Sequence, residues 1–305
     1  MSEPIPVIVI GGYLGAGKTT LVNHLLRESA GRRIAVLVND FGELPIDADL
    51  IESSDGNTIA IAGGCVCCSF GSDLMAALME LAARSPQPDH VLIEASGVAL
   101  PGAVAASVTL LAKYAIEGVV VLADAENVRA QAADRYLADT IERQLGAADL
   151  VVLNKADLVT PAIREELRTW LETKAPLIES ERARIPRDVL LGFGARSAKP
   201  SALLMTAMQA HPSYESLAFD QLPALDAARL AAALAGPVLG VIRAKGIVRD
   251  LGGETSVLHV VGRRAEVITS SAHCANRLVC IGLRGRFDRE AIGRIVESFS
   301  REPVT

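Results

Sequence analysis

Several features that would point to particular partners are missing from this 305-residue sequence. The formal net charge is −6, so the chain lacks the excess of Lys and Arg that neutralises phosphates in a nucleic-acid complex. No apolar run approaches the roughly 20 residues that cross a bilayer, and the first residues lack the positive charge that begins a signal peptide. We therefore expect a cytoplasmic protein with neither nucleic acid nor membrane as a partner.

Cysteine is sparse but clustered. The chain has five cysteines, an odd number, and three of them fall together in Cys65-Val66-Cys67-Cys68. This spacing does not suit the disulfide framework of a secreted protein, so a reducing compartment fits best. Hydrophobic residues make up 50% of the chain and charged residues only 22%, which argues against disorder and provides for a large core.

Short β-branched runs alternate with amphipathic segments through the first two thirds of the chain, as in βαβ units. The predicted strands are Ile5–Ile10, Ile34–Asn39, Asn57–Ala62, His90–Glu94, Gly118–Leu122 and Leu150–Asn154. The predicted helices are Thr19–Ser29, Ser72–Ala83, Pro101–Ala112 and Pro161–Thr173. This order predicts an α/β fold with a doubly wound, mostly parallel sheet over residues 1–195.

The remainder of the chain has a different pattern. Residues 196–236 are rich in Pro, Ser and Ala and are interpreted as a linker with one or two helices. Residues 237–305 are predicted to form a smaller α+β domain, with strands at Pro237–Lys245, Thr255–Gly262 and Arg277–Gly282 and a helix at Asp288–Ser300.

The strongest local signal is the segment GYLGAGKTT, which lies between a predicted strand and a predicted helix. It fits G-x-x-x-x-G-K-[ST], in which backbone N–H groups surround a phosphate, the lysine meets the β and γ charges and the hydroxyl binds Mg²⁺. We therefore predict a nucleotide site, with Lys18 also catalytic and Thr19 a magnesium ligand. The predicted binding residues are Gly12, Gly15, Ala16, Gly17, Lys18, Thr19 and Thr20.

A second motif, Asn154-Lys155-Ala156-Asp157, follows another hydrophobic strand and predicts recognition of guanine. The Asp157 carboxylate can accept from the ring N–H and the exocyclic amine of guanine, a donor pair that adenine lacks. A site left unpaired by the wrong base is costly, so this contact would select GTP. Two alternatives stay open: a turn that only caps the next helix, and a P-loop ATPase or small-molecule kinase in which Asp157 is structural.

The segment Glu94-Ala95-Ser96-Gly97 ends the predicted strand His90–Glu94. Carboxylates at such strand ends meet magnesium or its water shell in P-loop enzymes, and a glycine can approach the γ-phosphate. We predict that Glu94 is catalytic, ordering the attacking water, and that Gly97 contacts the nucleotide. Asp40, at the end of the second strand, is a further candidate for the magnesium shell. A helix cap formed by Glu94 and Ser96 is the alternative.

The three clustered thiols, Cys65, Cys67 and Cys68, could surround one soft cation such as zinc. Glu43, or Asp40 near it, would supply an oxygen ligand. Burial as structural cysteines and redox switching are the alternatives. His273 and Cys274 form an adjacent pair whose part in metal binding the sequence leaves open.

Taken together, these segments resemble the CobW-like branch of the P-loop GTPases, the CobW/HypB/UreG class of metal chaperones and metal-insertion GTPases. The resemblance is carried in order by GGYLGAGKTT, VNDFGE, GGCVCC, LIEASGVALP and NKAD, and VIRAKG and LVCIG resemble the family's C-terminal domain. It implies slow hydrolysis of GTP with Mg²⁺. It also implies that Cys65, Cys67 and Cys68 form a C-x-C-C metal site and that Glu94, Ser96 and Gly97 form an E-x-x-G nucleotide segment.

The function that this resemblance implies is delivery of zinc, or alternatively cobalt, to a client metalloprotein. The sequence departs from the family where Asp40 replaces the usual Glu, which favours Glu43 as the oxygen ligand. It also lacks a His-rich tract, having only five scattered histidines, so we expect no metal store. A nucleotide-gated activator of one metalloenzyme, with the cysteines as a redox switch, is the alternative. The metal, the client and the oligomeric state stay open.

Overall fold

The computed structural model describes residues 4–29, 31–39, 58–63, 72–192, 213–270 and 276–299. The chain forms two compact units, Met1–Arg187 and Asp188–Thr305. Within the described ranges, no helix has the length and apolar character needed to cross a membrane.

The first unit is built on a seven-stranded sheet in the order β3-β2-β4-β1-β5-β6-β7, and every neighbouring pair is parallel. The strands β4 and β6 are buried along their whole length, which explains the apolar runs VLI in β4 and LVVL in β6. The strands are β1 (Ile5–Gly12), β2 (Ile34–Asn39), β3 (Thr58–Gly63), β4 (His90–Glu94), β5 (Tyr114–Asp124), β6 (Leu150–Asn154) and β7 (Leu177–Ser180).

Helices connect these parallel strands, as a parallel sheet requires. They are α1 (Lys18–Arg27), α2 (Ser72–Ala83), α3 (Pro101–Val108), α4 (Val128–Ala133), α5 (Ala138–Ala147) and α6 (Pro161–Glu172), and α7 (Arg187–Leu191) follows β7. The start of α6 follows from its sequence, because the Thr160 side chain accepts from the Ile163 N–H and Pro161 occupies the first turn.

The second unit has a five-stranded antiparallel sheet in the order β11-β10-β9-β12-β8. Its helices α8 (Ala227–Leu234) and α9 (Arg289–Phe299) pack into one core with the sheet, through residues such as Leu230, Ile292 and Leu258. The strands are β8 (Tyr214–Asp220), β9 (Val241–Arg249), β10 (Thr255–Val261), β11 (Arg264–Ser270) and β12 (Arg277–Leu283).

The predicted fold class is confirmed in both units. The strands β2, β4 and β6 have the predicted bounds, whereas α4, α5, β7, α7 and β11 were not predicted. The helix α3 ends at Val108, before the predicted Ala112. There Ser107 and Thr109 donate their hydroxyls to backbone carbonyls of the preceding turn, a pattern that competes with helix continuation.

The division of the chain also differs from the predicted one. The structural boundary falls after Arg187, rather than after residue 195. The predicted linker 196–236 contains β8, which pairs with β12, and α8, which supplies core residues of the second unit. The predicted strand Pro237–Lys245 begins instead as a short 3₁₀ helix, Pro237–Leu239. Gly240, with φ of 65°, separates that helix from β9.

Candidate nucleotide-binding site

The loop from Gly12 to Gly17 connects β1 to α1 and depends on its glycines. A Cβ atom on Gly12 would lie 2.4 Å from the carbonyl oxygen of Leu122 on β5, and the φ of Gly12 is +131°. Gly15 and Gly17 also have positive φ values, of 75° and 99°. Gly17 is the N-cap of α1 and makes no side-chain cap bond. The N-terminus of a helix is a place where backbone N–H groups can bind an anion.

The predicted phosphate-binding lysine lies against this same loop. Lys18 is only 8% exposed, and its Nζ donates to the carbonyl oxygen of Tyr13 at 3.3 Å. The ammonium group is therefore held beside the loop backbone instead of extending into solvent. This placement suits a positive charge that meets the anionic end of a nucleotide.

The predicted magnesium ligand and the predicted catalytic carboxylate are in contact. The Oγ1 atom of Thr19 donates to Oε1 of Glu94 at 2.7 Å, and Glu94 is 2% exposed at the end of β4. A hydroxyl and a carboxylate are hard oxygen ligands of the kind that Mg²⁺ prefers. The donor set therefore fits Mg²⁺. Asp40, the other predicted magnesium ligand, lies outside the described residues.

Gly97 brings the segment after β4 against the loop. A Cβ atom at this position would lie 2.9 Å from the backbone N of Leu14 and 2.5 Å from the Leu14 side chain. Only glycine permits this approach without displacing the loop. The two segments that were predicted to meet the phosphates are thus adjacent.

The motif Asn154-Lys155-Ala156-Asp157 lies beside the same loop. Asn154 is 2% exposed, its Nδ2 donates to the Ala16 carbonyl oxygen at 2.9 Å, and its Oδ1 accepts from the Ala183 N–H at 2.7 Å. Asp157 lies in the short 3₁₀ helix Ala156–Leu158 and is exposed. The buried Asn154 therefore fixes the motif to the loop, while the Asp157 carboxylate is accessible to a ligand.

Asp124, at the end of β5, also belongs to this group, although it lies in none of the predicted motifs. It is 4% exposed and accepts from Lys155 Nζ at 2.7 Å, from Asn127 Nδ2 at 2.9 Å and from the Glu126 N–H at 3.0 Å. The bond to Lys155 orients the side chain of this residue, whose backbone has a left-handed φ of 60°. A carboxylate directly after the apolar run VVVLA was the signal that could have identified it.

The turn after β7 is a second feature that the sequence did not reveal. Arg182 and Ala183 have φ values of 50° and 53°, in the left-handed region that non-glycine residues seldom occupy. The fully buried Ala183 N–H bonds to Asn154, which holds this turn beside the motif. Neither residue type favours such a conformation, so no local signal indicated it.

The predicted transition-metal ligands Cys65, Cys67, Cys68 and Glu43 lie outside the described residues, as do His273 and Cys274. Within the part of the chain that the structure describes, no group of three or more His, Cys, Asp or Glu side chains could hold a metal. Cys280 is described and buried, and burial raises the pKa of its thiol far above the usual value. Since metals bind the thiolate, Cys280 is unsuited to be a ligand.

The cysteine segment nevertheless begins at a defined place in the sheet. The last residue of β2, Asn39, pairs with the last residue of β3, Gly63. Asp40 follows the first of these residues and Gly64-Cys65 follows the second. Thus the two sequences predicted to supply metal ligands leave the sheet from neighbouring strand ends.

Two curated relatives illustrate the similarity of this chain to known proteins. The zinc chaperone CobW of Pseudomonas aeruginosa is 35% identical over 228 residues, which cover 63% of this chain and 61% of the relative. The zinc chaperone YjiA of Escherichia coli is 34% identical over 184 residues, 57% of each chain. The chain thus spans about three fifths of the length of the relatives named as zinc chaperones.

Solved structures and family models extend the comparison. The crystal structure of Zn(II)-bound YjiA GTPase from E. coli is 22% identical, covers 99% of this chain and 100% of that chain, and has a TM-score of 0.46. The family model described as "CobW/HypB/UreG, nucleotide-binding domain" matches residues 6–179, and the cobW C-terminal domain model matches residues 214–300. The resemblance found in the sequence is confirmed: the chain belongs to the CobW/HypB/UreG family.

Proposed function

We propose that this chain is a GTP-hydrolysing metallochaperone, which binds a transition metal through Cys65, Cys67 and Cys68 and delivers it to a client metalloprotein. Zinc is the proposed cargo, with cobalt as the alternative. The observation that carries the nucleotide half is the pair of buried bonds made by Asn154, at 2.9 and 2.7 Å. They join the motif expected to read guanine to the loop expected to hold phosphates.

Guanine selectivity rests on Asp157 in this proposal. The carboxylate is exposed at the end of β6, where a base could reach both of its oxygens. Lys155, held by Asp124 at 2.7 Å, would place its aliphatic stem along the face of the base. The resulting expectation is that Asp157→Asn reduces the preference for GTP over ATP, whereas a P-loop ATPase or kinase would keep its preference.

Hydrolysis joins a water oxygen to the γ-phosphorus while the bond from that phosphorus to the β,γ-bridging oxygen breaks, giving GDP and inorganic phosphate. When Mg²⁺ is bound, it neutralises charge on the β- and γ-phosphate oxygens. The Thr19 hydroxyl and the adjacent Glu94 carboxylate are the described groups that would hold it. Glu94 would also order the attacking water, and Lys18 would stabilise negative charge that develops on the phosphates.

The metal half of the proposal depends on the sequence Cys65-x-Cys67-Cys68, which offers three thiolates to one soft cation. Glu43, or Asp40, would complete the ligand set with an oxygen. The neighbouring ends of β2 and β3 support this grouping, because both candidate segments begin there. Relatives named zinc chaperones support zinc as the cargo.

Nucleotide state would control metal affinity through these segments. The segment after β4 begins beside the phosphate loop in the sheet order, and the segment after β2 begins one strand further away. The cysteines lie between these two segments in the chain. If GTP with Mg²⁺ orders the two segments and hydrolysis releases them, the geometry of the metal ligands changes with the nucleotide. Linkage then requires metal to change nucleotide affinity by the same factor.

Zinc titrations in the presence of GDP and of a non-hydrolysable GTP analogue test this proposal. We expect different zinc affinities in the two states, and loss of binding in Cys67→Ser. Cys280→Ala serves as the matched control, because its buried thiol should contribute nothing to the site. Identical affinities with both nucleotides would remove the coupling, and unchanged zinc binding by Cys67→Ser would remove this residue from the site.

A second candidate, a nucleotide-gated activator of one metalloenzyme, is favoured by the name of another relative. The zinc-regulated GTPase metalloprotein activator 1 of Schizosaccharomyces pombe is 31% identical over 171 residues, 52% of this chain and 40% of that protein. In this version the cysteines are a redox switch. Activation of the client by the triple Cys→Ser variant in reducing, metal-free buffer would favour the activator, and loss of activation would favour metal delivery.

A further inference from the structure

Gln144 is a buried polar residue on α5 that reaches the segment after β4. Its side chain is 2% exposed, and its Nε2 donates to the carbonyl oxygens of Gly97 at 3.0 Å and Ala99 at 2.8 Å. A primary amide has two N–H donors, so the bonds to this short segment use both. The partners are 47 and 45 residues away in the sequence, so the contact depends on the fold rather than on a local motif.

These two bonds fix the orientation of the peptide groups around Val98. In a trans peptide the C=O and the following N–H point in opposite directions. With the carbonyl of Gly97 directed at Gln144, the N–H of Val98 is turned to the side away from α5. The bond to the Ala99 carbonyl constrains the peptide group between Ala99 and Leu100 in the same way.

The oriented segment lies directly against the phosphate loop. A Cβ atom on Gly97 would lie 2.9 Å from the Leu14 backbone N. Gln144 itself lines a small cavity together with Tyr13 and Ala16 of that loop. The amide therefore sets the backbone at the place where the proposed site meets the γ-phosphate.

We infer that Gln144 is a positioning residue for GTP hydrolysis, which holds residues Gly97–Ala99 in the orientation that the γ-phosphate and the attacking water require. The inference rests on the proposed function. Gln144 should affect the rate of GTP hydrolysis rather than nucleotide affinity in general. The base and the inner phosphates would be bound instead by the motif of Asn154 and Asp157 and by the glycine loop. GDP lacks the group that Gln144 would help to position, so GDP binding should not depend on it.

The test compares GTP hydrolysis with GDP binding in Gln144→Met, which keeps the length of the side chain and removes both donors. At saturating GTP and Mg²⁺, we expect the single-turnover rate constant to fall about 10- to 100-fold, as for a misplaced reacting group. The Kd for GDP should stay at the wild-type value. Gln144→His keeps one ring N–H donor and should give an intermediate rate.

Gln131→Met is the matched control, since Gln131 lines the same cavity from α4. It should alter neither the rate nor the GDP affinity. Each rate is normalised to the concentration of GDP-binding sites, so partial unfolding does not imitate the effect. If Gln144→Met does not fold, the Gln144→His variant supplies the same comparison.

A wild-type rate in Gln144→Met would overturn the inference. So would a parallel loss of rate and GDP affinity, which would assign Gln144 a merely structural role. The wild-type protein separates these failures from failure of the proposed function. If it binds GDP but does not hydrolyse GTP, the proposed function is wrong, and the inference about hydrolysis falls with it.

Discussion

Replacing Asn154 by alanine should damage stability and nucleotide binding together. The side chain makes two buried bonds, to the Ala16 carbonyl oxygen and from the Ala183 N–H, and both partner residues are almost completely buried. Each backbone group left unsatisfied costs about 1–3 kcal/mol, so Asn154→Ala should lower the free energy of unfolding by about 2–6 kcal/mol. This is a large part of the roughly 5–15 kcal/mol that stabilises an ordinary protein.

The same substitution releases the proposed phosphate loop from the motif that is proposed to read guanine. A loss of about 1.4 kcal/mol in binding free energy lowers affinity tenfold. If only part of the energy of the two lost hydrogen bonds is taken from nucleotide binding, GDP should therefore bind at least about tenfold more weakly. Trp170, the only tryptophan in the chain, lies in the first unit on α6. Its fluorescence during urea unfolding therefore measures stability of the unit that contains the site.

Asn276→Ala provides the matched control. Asn276 also donates Nδ2 to a backbone carbonyl, that of Leu222 at 2.7 Å, but it lies in the second unit. We expect it to leave GDP affinity and the Trp170 transition unchanged. An Asn154→Ala protein with a wild-type urea midpoint and a wild-type GDP Kd would refute the assigned role of these bonds.

Three further predictions concern stability and can be measured by the same Trp170 transition. Gly12→Ala should lower the free energy of unfolding by more than about 3 kcal/mol, because the new Cβ would lie 2.4 Å from a backbone carbonyl oxygen. Gly15→Ala places its Cβ in open space, so it should lower the free energy of unfolding by only about 1–2 kcal/mol, the cost of a left-handed backbone. Equal losses would contradict this distinction. Arg187→Met should lower the free energy of unfolding by about 1–3 kcal/mol, because the buried guanidinium donates to the carbonyl oxygens of Glu28 and Ser29, directly after α1. A wild-type urea midpoint would count against this prediction. Burial raises the pKa of Tyr114 from 10.0 to about 12 in the folded chain. The neutral phenol therefore makes its full contribution to stability below pH 10, and this contribution is lost as the pH rises towards 12. Tyr114→Phe should flatten the stability profile in that range, and an unchanged alkaline profile would disprove the assignment.

The elements around the proposed phosphate site could be predicted because their signals are local. Each of the strands β2, β4 and β6 contains an apolar run, and a polar residue ends each strand at the edge of the sheet that carries the proposed site. The glycine loop was equally clear, since Gly12 and Gly17 have the backbone conformations that only glycine adopts easily. In both cases the sequence itself carries the physical constraint.

The rest of the site depends on contacts between distant segments. Asn154 and Ala16 are 138 residues apart, and Gln144 and Gly97 are 47 residues apart, so neither bond leaves a pattern in any short stretch of sequence. The strand β8 was interpreted as part of a linker because its sequence, YESLAFD, acquires its place only by pairing with β12. Propensity is a weak guide where tertiary pairing decides the outcome.

The strand order indicates that the proposed metal site would respond to whether the bound nucleotide has a γ-phosphate, rather than to which base it carries. The motif proposed to read guanine follows β6, the proposed phosphate loop follows β1 and Glu94 ends β4. The proposed nucleotide would therefore lie across the sheet with its γ-phosphate towards β4. Neighbouring strands are about 4.8 Å apart, so the end of β3, where the cysteine segment begins, is about 10 Å from β4 but about 24 Å from β6. Changes at Asp157 should therefore alter which nucleotide binds, whereas changes at Glu94 should alter how metal affinity responds to the nucleotide that is bound.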